Sequence, residues 1–376
     1  MIYFDSAATT FQKPPEVARA MLEALRGMSS PGRGGYPLAR RAAETAFACR
    51  SELATLFGAA SAEQVVFTFN ATHALNLAIK SLVPRRGKAV VSGYEHNAVT
   101  RPLHALEAEV TVAAGELFNA QSVLEAFARA IAPDTDAVIC THVSNVFGFI
   151  QPIEAIAKLC RERGVPLIVD ASQSAGVLPL DLTALGAAFI AMPGHKGLYG
   201  PQGTGVLLVG EGRTGAPLLE GGTGSLSREQ EMPPFLPDRL EAGTHNMPGI
   251  AGLLAGVRFV RARGTERIFR HERALTERAA EGLARMKSVH AYASADANAQ
   301  CGVLSLWHER YEPETLGEIL AAHGIAARAG LHCAPLAHES AKSPREGTLR
   351  VSFSAFNTHA EVGRFLAVMR SLEKNV

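Results

Sequence analysis

The stretch MPGHKGLYGPQGTG, residues 192–205, holds one lysine, Lys196, among five glycines, with His195 directly before it. Glycine loses more conformational entropy on folding than any other residue, so this density is destabilising unless the backbone must turn sharply or approach something closely. Two readings compete. One is a glycine-rich hairpin with an incidental surface lysine; the other is a lysine held as a nucleophile beside a small ligand. A carboxylate, Asp170, closes the apolar run PLIVD one run earlier, and Asn145 follows AVICTHVS. A buried acid at one strand end and a lysine beyond the next suit pyridoxal phosphate. The lysine forms a Schiff base, and the acid keeps the pyridine nitrogen protonated so that the ring withdraws electrons. A phosphate site is available in FTFNATHALNLAI. There Asn70 is an N-cap, and Ala71, Thr72 and His73 open a helix whose free backbone N–H groups can take an anion.

Cys333 lies in RAGLHCAPLAHE, between Gly330 and Pro335 and beside an imidazole. A reactive thiolate needs such a partly exposed, electropositive setting, although a buried loop thiol is the competing reading. Cys49, Cys140, Cys160 and Cys301 sit in apolar runs or faces and read as inert core thiols. His332, Cys333 and His338 are close in sequence, but no second cluster has ligand spacing, so no metal centre is expected. GEGRTG, from Gly210 to Gly215, copies a dinucleotide fingerprint without a helix behind it and reads as a chance match.

The elements that must position these residues read as α/β. VVFTF, AVVSG, VTVAA, AVICTHV, PLIVDAS, AAFIAMPG and GVLLVG are mostly apolar throughout, as in strands buried on both faces of a mostly parallel sheet. Helical segments alternate with them, for example PIEAIAKLCRERG, closed by Gly164 and Pro166. Ligands of such sheets collect beyond the carboxyl ends of the strands, so Asn145, Asp170 and Lys196 are expected to face one crevice. After about Pro248 two long helical patterns, a helix and further strands read as a smaller α+β unit.

Bulk properties agree with a folded enzyme. At 376 residues two domains are expected, and 47% hydrophobic with 19% charged residues is a globular composition. A net charge of +1 without like-charge runs leaves no footprint for nucleic acid or an anionic membrane. MIYFDSAATT does not read as a signal peptide, and no apolar run is long enough to span a bilayer. The odd cysteine count makes no disulfide framework, so a cytoplasmic location is expected.

EHNA, VSNV, VDASQS, GHKGLYGP, EAGT, HCAPL and LRVSFSAFNT, in that order, resemble the class V aminotransferase fold, which is fold type I of the pyridoxal phosphate enzymes. Within it the resemblance is to cysteine desulfurases of the SUF type, or group II, and runs from YFDSAATT to FNTHAEV. It implies a seven-stranded large domain over residues 15–250. A small α+β domain, 251–376, joined by segment 1–14, would carry the catalytic cysteine loop. It implies that Lys196 is the Schiff-base lysine, Asp170 the pyridinium partner and His96 the imidazole on the ring. Asn145 and Gln173 match groups around the phenolic oxygen, and Ala71, Thr72 and His195 match phosphate ligands. Gly243 and Thr244 match positions reaching the phosphate of the other subunit, which implies a homodimer with shared sites. Cys333 matches the persulfide-forming cysteine, and Arg350 and Arg328 match arginines near the substrate.

The implied reaction takes L-cysteine to L-alanine, with sulfur left on Cys333 for an acceptor protein. Selenocysteine lyase, a transaminase-like enzyme and a non-catalytic docking relative remain as alternatives. Pro193 and Ala71 stand where relatives carry phosphate-binding hydroxyls, and Tyr36 and Leu331 where they carry histidines. The glycines around Lys196 are expected to curl the backbone round the phosphate edge.

Overall fold

A computed structural model describes residues 1–31 and 34–374; residues 375–376 of the expected small domain lie outside it. The seven apolar runs form seven strands: β1 Val65–Thr68, β2 Lys88–Ser92, β3 Glu109–Ala113, β4 Ala137–Thr141, β5 Leu167–Asp170, β6 Phe189–Pro193 and β7 Gly205–Val209. They make one sheet in the order β1-β7-β6-β5-β4-β2-β3. β7 is antiparallel to both its neighbours, and the other pairings are parallel. Alternate side chains feed two different cores. Val90, Val138, Val169 and Ile190 pack with the helices Pro37–Leu56 and Ile153–Arg163 on one face. Val91, Ile139, Ile168 and Ala191 pack with the helices Ala71–Leu82 and Asn97–Ala105 on the other. Cover on both faces explains why the inner strands are apolar throughout rather than alternating; the edge strand β3 is exposed at four of its five positions.

A second, antiparallel sheet contains β8 Val289–Ala291, β9 Val303–His308, β10 Arg328–Gly330 and β11 Thr348–Ser352, in the order β10-β11-β9-β8. The N-terminal strand Ile2–Tyr3 pairs in parallel with Ile325–Ala326, which carries the first residues of the chain onto this unit. The expected border at 250/251 falls inside the helix Met247–Arg263. Ile250, Leu253, Leu254 and Val257 of that helix join the large-sheet core. That helix is buried along its first three turns and exposed at Arg258, Arg261 and Ala262. Among the described residues, no helix is long and apolar enough to cross a membrane.

Candidate active site

The carboxyl ends of β4, β5 and β6 open on one cavity of about 210 Å³ lined by Asp170, Lys196, His96, Asn145, Gln173 and Thr72, among others. Asp170 is the last residue of β5, is 2% exposed and stands opposite Thr141 of β4. Its Oδ1 accepts the Ser172 N–H at 2.9 Å, which fixes the carboxylate toward its own turn. Lys196 follows β6 and is half-buried. Burial lowers its amine to about 8, with Asp170 pulling the other way and Arg350 adding to the fall. At neutral pH a far larger share of such an amine is unprotonated than of an ordinary lysine, as addition to a carbonyl requires.

His96 caps the helix Asn97–Ala105, its Nδ1 accepting the Ala98 N–H at 3.0 Å. That bond leaves the hydrogen of the neutral ring on Nε2, and burial keeps the imidazole below its ordinary value. Asn70 caps the helix Ala71–Leu82 by accepting the His73 N–H at 2.9 Å. The N–H groups of Ala71 and Thr72 belong to the first turn of that helix, and both residues line the cavity. His195 Nδ1 contacts the Thr9 hydroxyl at 3.0 Å, and burial lowers the ring to about 4. Gln173 donates from Nε2 to the Ala7 carbonyl at 3.0 Å. Pro193 and Ala71, the two positions without hydroxyls, also line the cavity.

The glycines around Lys196 also allow close approach within the chain. A Cβ at Gly194 would lie 2.2 Å from Thr204 Oγ1, and one at Gly197 would lie 2.4 Å from the Ala175 carbonyl. These positions let the Lys196 loop press against its own chain, so the lysine is fixed by close backbone packing. Gly205 similarly leaves room for Asn70, whose backbone would be 2.6 Å from an added Cβ.

Arg350, in β11, is 2% exposed. Its Nη1 donates to the Asn145 carbonyl at 2.8 Å and its Nη2 to Asp5 Oδ1 at 2.9 Å, while Nε has no partner. Arg328 is exposed and donates from Nε to Asp5 Oδ2 at 3.1 Å. Asp5 was not singled out by sequence; nothing marks it before the Ile2–Tyr3 strand brings it beside both arginines. Lys13 was missed as well. Its Nζ donates to the His195 carbonyl at 3.0 Å, and burial lowers it to about 8.

Cys333 is exposed and lies outside the residues lining the cavity. Its loop is nevertheless tied to the site. The Cys333 carbonyl accepts the Asn97 N–H at 2.8 Å, next to His96, and Asn145 Nδ2 donates to the His332 carbonyl at 2.8 Å. The other four cysteines are buried, and burial raises the thiols of Cys49 and Cys160 to about 12. Gly243 and Thr244 are exposed and do not line the Lys196 cavity; they lie on another face with His245. That loop is anchored by Glu241, whose two oxygens accept from Arg50 at 2.8 and 2.6 Å. Among the described residues no cluster suits a metal ion. Gly210 to Gly215 opens no helix.

The description aminotransferase class-V matches residues 2–365. The chain belongs to the class-V aminotransferase family. Within that family it stands with the cysteine desulfurases. It is 35% identical to a probable cysteine desulfurase of Xylella fastidiosa, over all of this chain and 91% of that protein. It is 31% identical to one of Pyrococcus abyssi, over all of this chain and 95% of the other. A relative from Mycolicibacterium paratuberculosis is longer: the match, 34% identical, covers 99% of this chain and 55% of that protein. The apo cysteine desulfurase of Thermococcus onnurineus superposes with a TM-score of 0.92 at 33% identity, over all of this chain and 95% of that one.

Pyridoxal phosphate makes three demands, and the residues present meet each of them. Asp170, at the carboxyl end of the central strand β5, is an acid that could face the ring nitrogen. Lys196 is an amine lowered to about 8 for the aldehyde. The helix start at Ala71 and Thr72, with His195, supplies donors for the phosphate.

Proposed function

We propose that the chain is a pyridoxal phosphate-dependent cysteine desulfurase of the SUF type, converting L-cysteine to L-alanine and holding the sulfur as a persulfide on Cys333. The convergence of Lys196, Asp170, His96 and the Thr72 helix start on one cavity carries the reading. Asp170, Lys196, Gln173, Asn145, Thr72, Ala71 and His195 would hold the cofactor, with His96 on its ring. When bound, it supplies an electron sink for the pair released at the substrate Cα.

Arg350 would take the substrate carboxylate through its planar guanidinium, which lies outside the residues lining the Lys196 cavity and here holds the Asn145 carbonyl and Asp5. Arg328, exposed and paired with Asp5, would add positive charge beside Arg350. Lys196 Nζ takes the proton from Cα and returns it where it is needed. His96 Nε2 exchanges the proton of the substrate thiol. The Cys333 thiolate attacks the substrate sulfur; the Cβ–S bond breaks, the pair stays with carbon, and a proton then completes the methyl group of alanine. Exposure of Cys333 suits onward delivery to a sulfur-acceptor protein.

Gly243 and Thr244, remote from this chain's own cavity, suit a homodimer in which they complete the phosphate site of the other subunit. A cytoplasmic setting keeps the thiol reduced. Borohydride treatment of the yellow protein should fix the label on Lys196, and an unlabelled Lys196 in the digest would refute the cofactor assignment. Selenocysteine lyase is the second reading, favoured by one observation. Cys333 stands outside the cavity, and selenium is more readily shed as the neutral element: the Cβ–Se pair stays with carbon, a proton completes alanine, and no thiol has to capture it.

A further inference from the structure

Behind Asp170 lies a carboxyl group to which the mechanism gives no task. Glu95, the residue before His96, is wholly buried. Its Oε1 accepts the Thr141 N–H at 2.7 Å and the Ser92 hydroxyl. Ser92 Oγ itself accepts from Gln151 Nε2 at 3.1 Å and from the Tyr94 N–H at 3.2 Å, so its hydrogen is committed to Glu95. Gln151 Nε2 also donates to the Thr141 carbonyl at 2.6 Å. Oε2 of Glu95 is buried and has no partner. Thr141, which binds Oε1, stands opposite Asp170 in the sheet, so two carboxyl groups share one small buried layer.

An ionised carboxylate with one buried oxygen making no hydrogen bond is strongly disfavoured. A neutral acid fits the same bonds: Oε1 is the carbonyl oxygen accepting two hydrogens, and Oε2 carries the proton. Gln151 Oε1 and His142 Nδ1 are buried and unpartnered too. The Gln151 N–H donates to the His142 carbonyl at 2.9 Å, so this side of the layer has polar atoms but, among the described residues, no cation to pair with a Glu95 carboxylate.

We propose that Glu95 is a protonated acid that confines the negative charge of this layer to Asp170, and so acts as a positioning residue for the pyridinium partner. This rests on the reading that Asp170 faces the cofactor's ring nitrogen. Adjacent buried carboxylates do not both ionise. Burial, with the charge of Asp170 acting in the same direction, raises Glu95 to about 8. Of the other titratable groups around it, burial keeps Cys140 and Tyr94 above their ordinary values and His96 and His142 below theirs, so all four stay uncharged at neutral pH.

The sign of the pH effect follows. Between the ordinary carboxyl value and about 8, the folded protein keeps a proton that the unfolded chain has released, so stability falls as pH rises through this window. The test uses cofactor-free protein and compares the thermal midpoint of wild type and Glu95→Gln across that window. Glutamine preserves the two accepted bonds and cannot ionise, so the wild type should lose ground to the variant as pH rises toward about 8 and then keep a constant gap. An infrared difference spectrum, wild type minus Glu95→Gln at neutral pH, should contain one protonated carboxyl band. Asp170→Asn should move the loss of that band to lower pH. Parallel midpoint profiles, no band, or a band unmoved by Asp170→Asn would overturn the proposal. If the band behaves as expected but the wild type takes up no pyridoxal phosphate, the cofactor reading fails while the proton assignment on Glu95 stands.

Discussion

Replacing Arg350 by lysine separates a substrate clamp from a structural tie. The guanidinium spans two acceptors, the Asn145 carbonyl at 2.8 Å and Asp5 at 2.9 Å, from a position 2% exposed. An ammonium group can reach one of them but cannot present a planar pair of donors to a carboxylate. Losing one charge-assisted hydrogen bond to the substrate costs ~1.5–3 kcal/mol, which is roughly a 10–150-fold rise in KM. The folding cost should stay below the ~3–5 kcal/mol of stripping a buried charge of every partner, because Asp5 keeps Arg328 at 3.1 Å. The assay is steady-state alanine formation from L-cysteine, read as kcat and KM, beside a urea midpoint on the same preparations. Asp5→Ala supplies the control: it removes the acceptor of Nη2, so KM should fall or hold while stability drops. If Arg350→Lys leaves KM unchanged and loses only stability, Arg350 is a tie between β11 and the N-terminal segment, and the clamp is refuted.

Cys333→Ala should abolish alanine formation from L-cysteine yet keep much of the activity toward selenocysteine; equal losses on both substrates would remove Cys333 as sulfur acceptor. Arg50→Ala should cost ~3–5 kcal/mol in a denaturant melt, because a buried bidentate partner of Glu241 is lost, leaving the Phe67 N–H and His245, at 2.8 Å, to hold the carboxylate. A cost below ~1 kcal/mol would show that the pair behaves as a surface one. In cofactor-free protein, Lys196 should be modified by an amine-directed reagent at a rate that climbs with pH and levels off above about 8, since only the unprotonated amine reacts. A rate still climbing at the ordinary lysine value would contradict its desolvation.

The sheet was legible in the sequence because its inner strands, covered on both faces, are apolar almost throughout, and all seven runs lie in one sheet. The cavity residues on strand ends and helix starts were legible for the same reason, since motif and element coincide at Asp170, Lys196 and Asn70. Less legible was whatever depends on distant pairing. Asp5 meets Arg350 only because a two-residue strand joins Ile325–Ala326, and no local pattern encodes that. The helix Met247–Arg263 misled because burial is nearly uniform along its first three turns, which hides which unit it packs against. The glycines were noticed for the right reason, close approach, but the approach is to Ala175 and Thr204. Glu95 carried no signal beyond its place beside His96; its meaning comes from hydrogen bonds made across the sheet.

The central claim is tested most directly by a single turnover of the pyridoxal phosphate-loaded protein with L-cysteine labelled in its sulfur, without any acceptor or reductant. Alanine and the Cys333 peptide would be analysed by mass spectrometry from one sample. The account predicts one alanine per active site and one labelled sulfur atom added to the Cys333 peptide. Alanine formed with Cys333 unmodified, or label on any of the four buried cysteines instead, would contradict it.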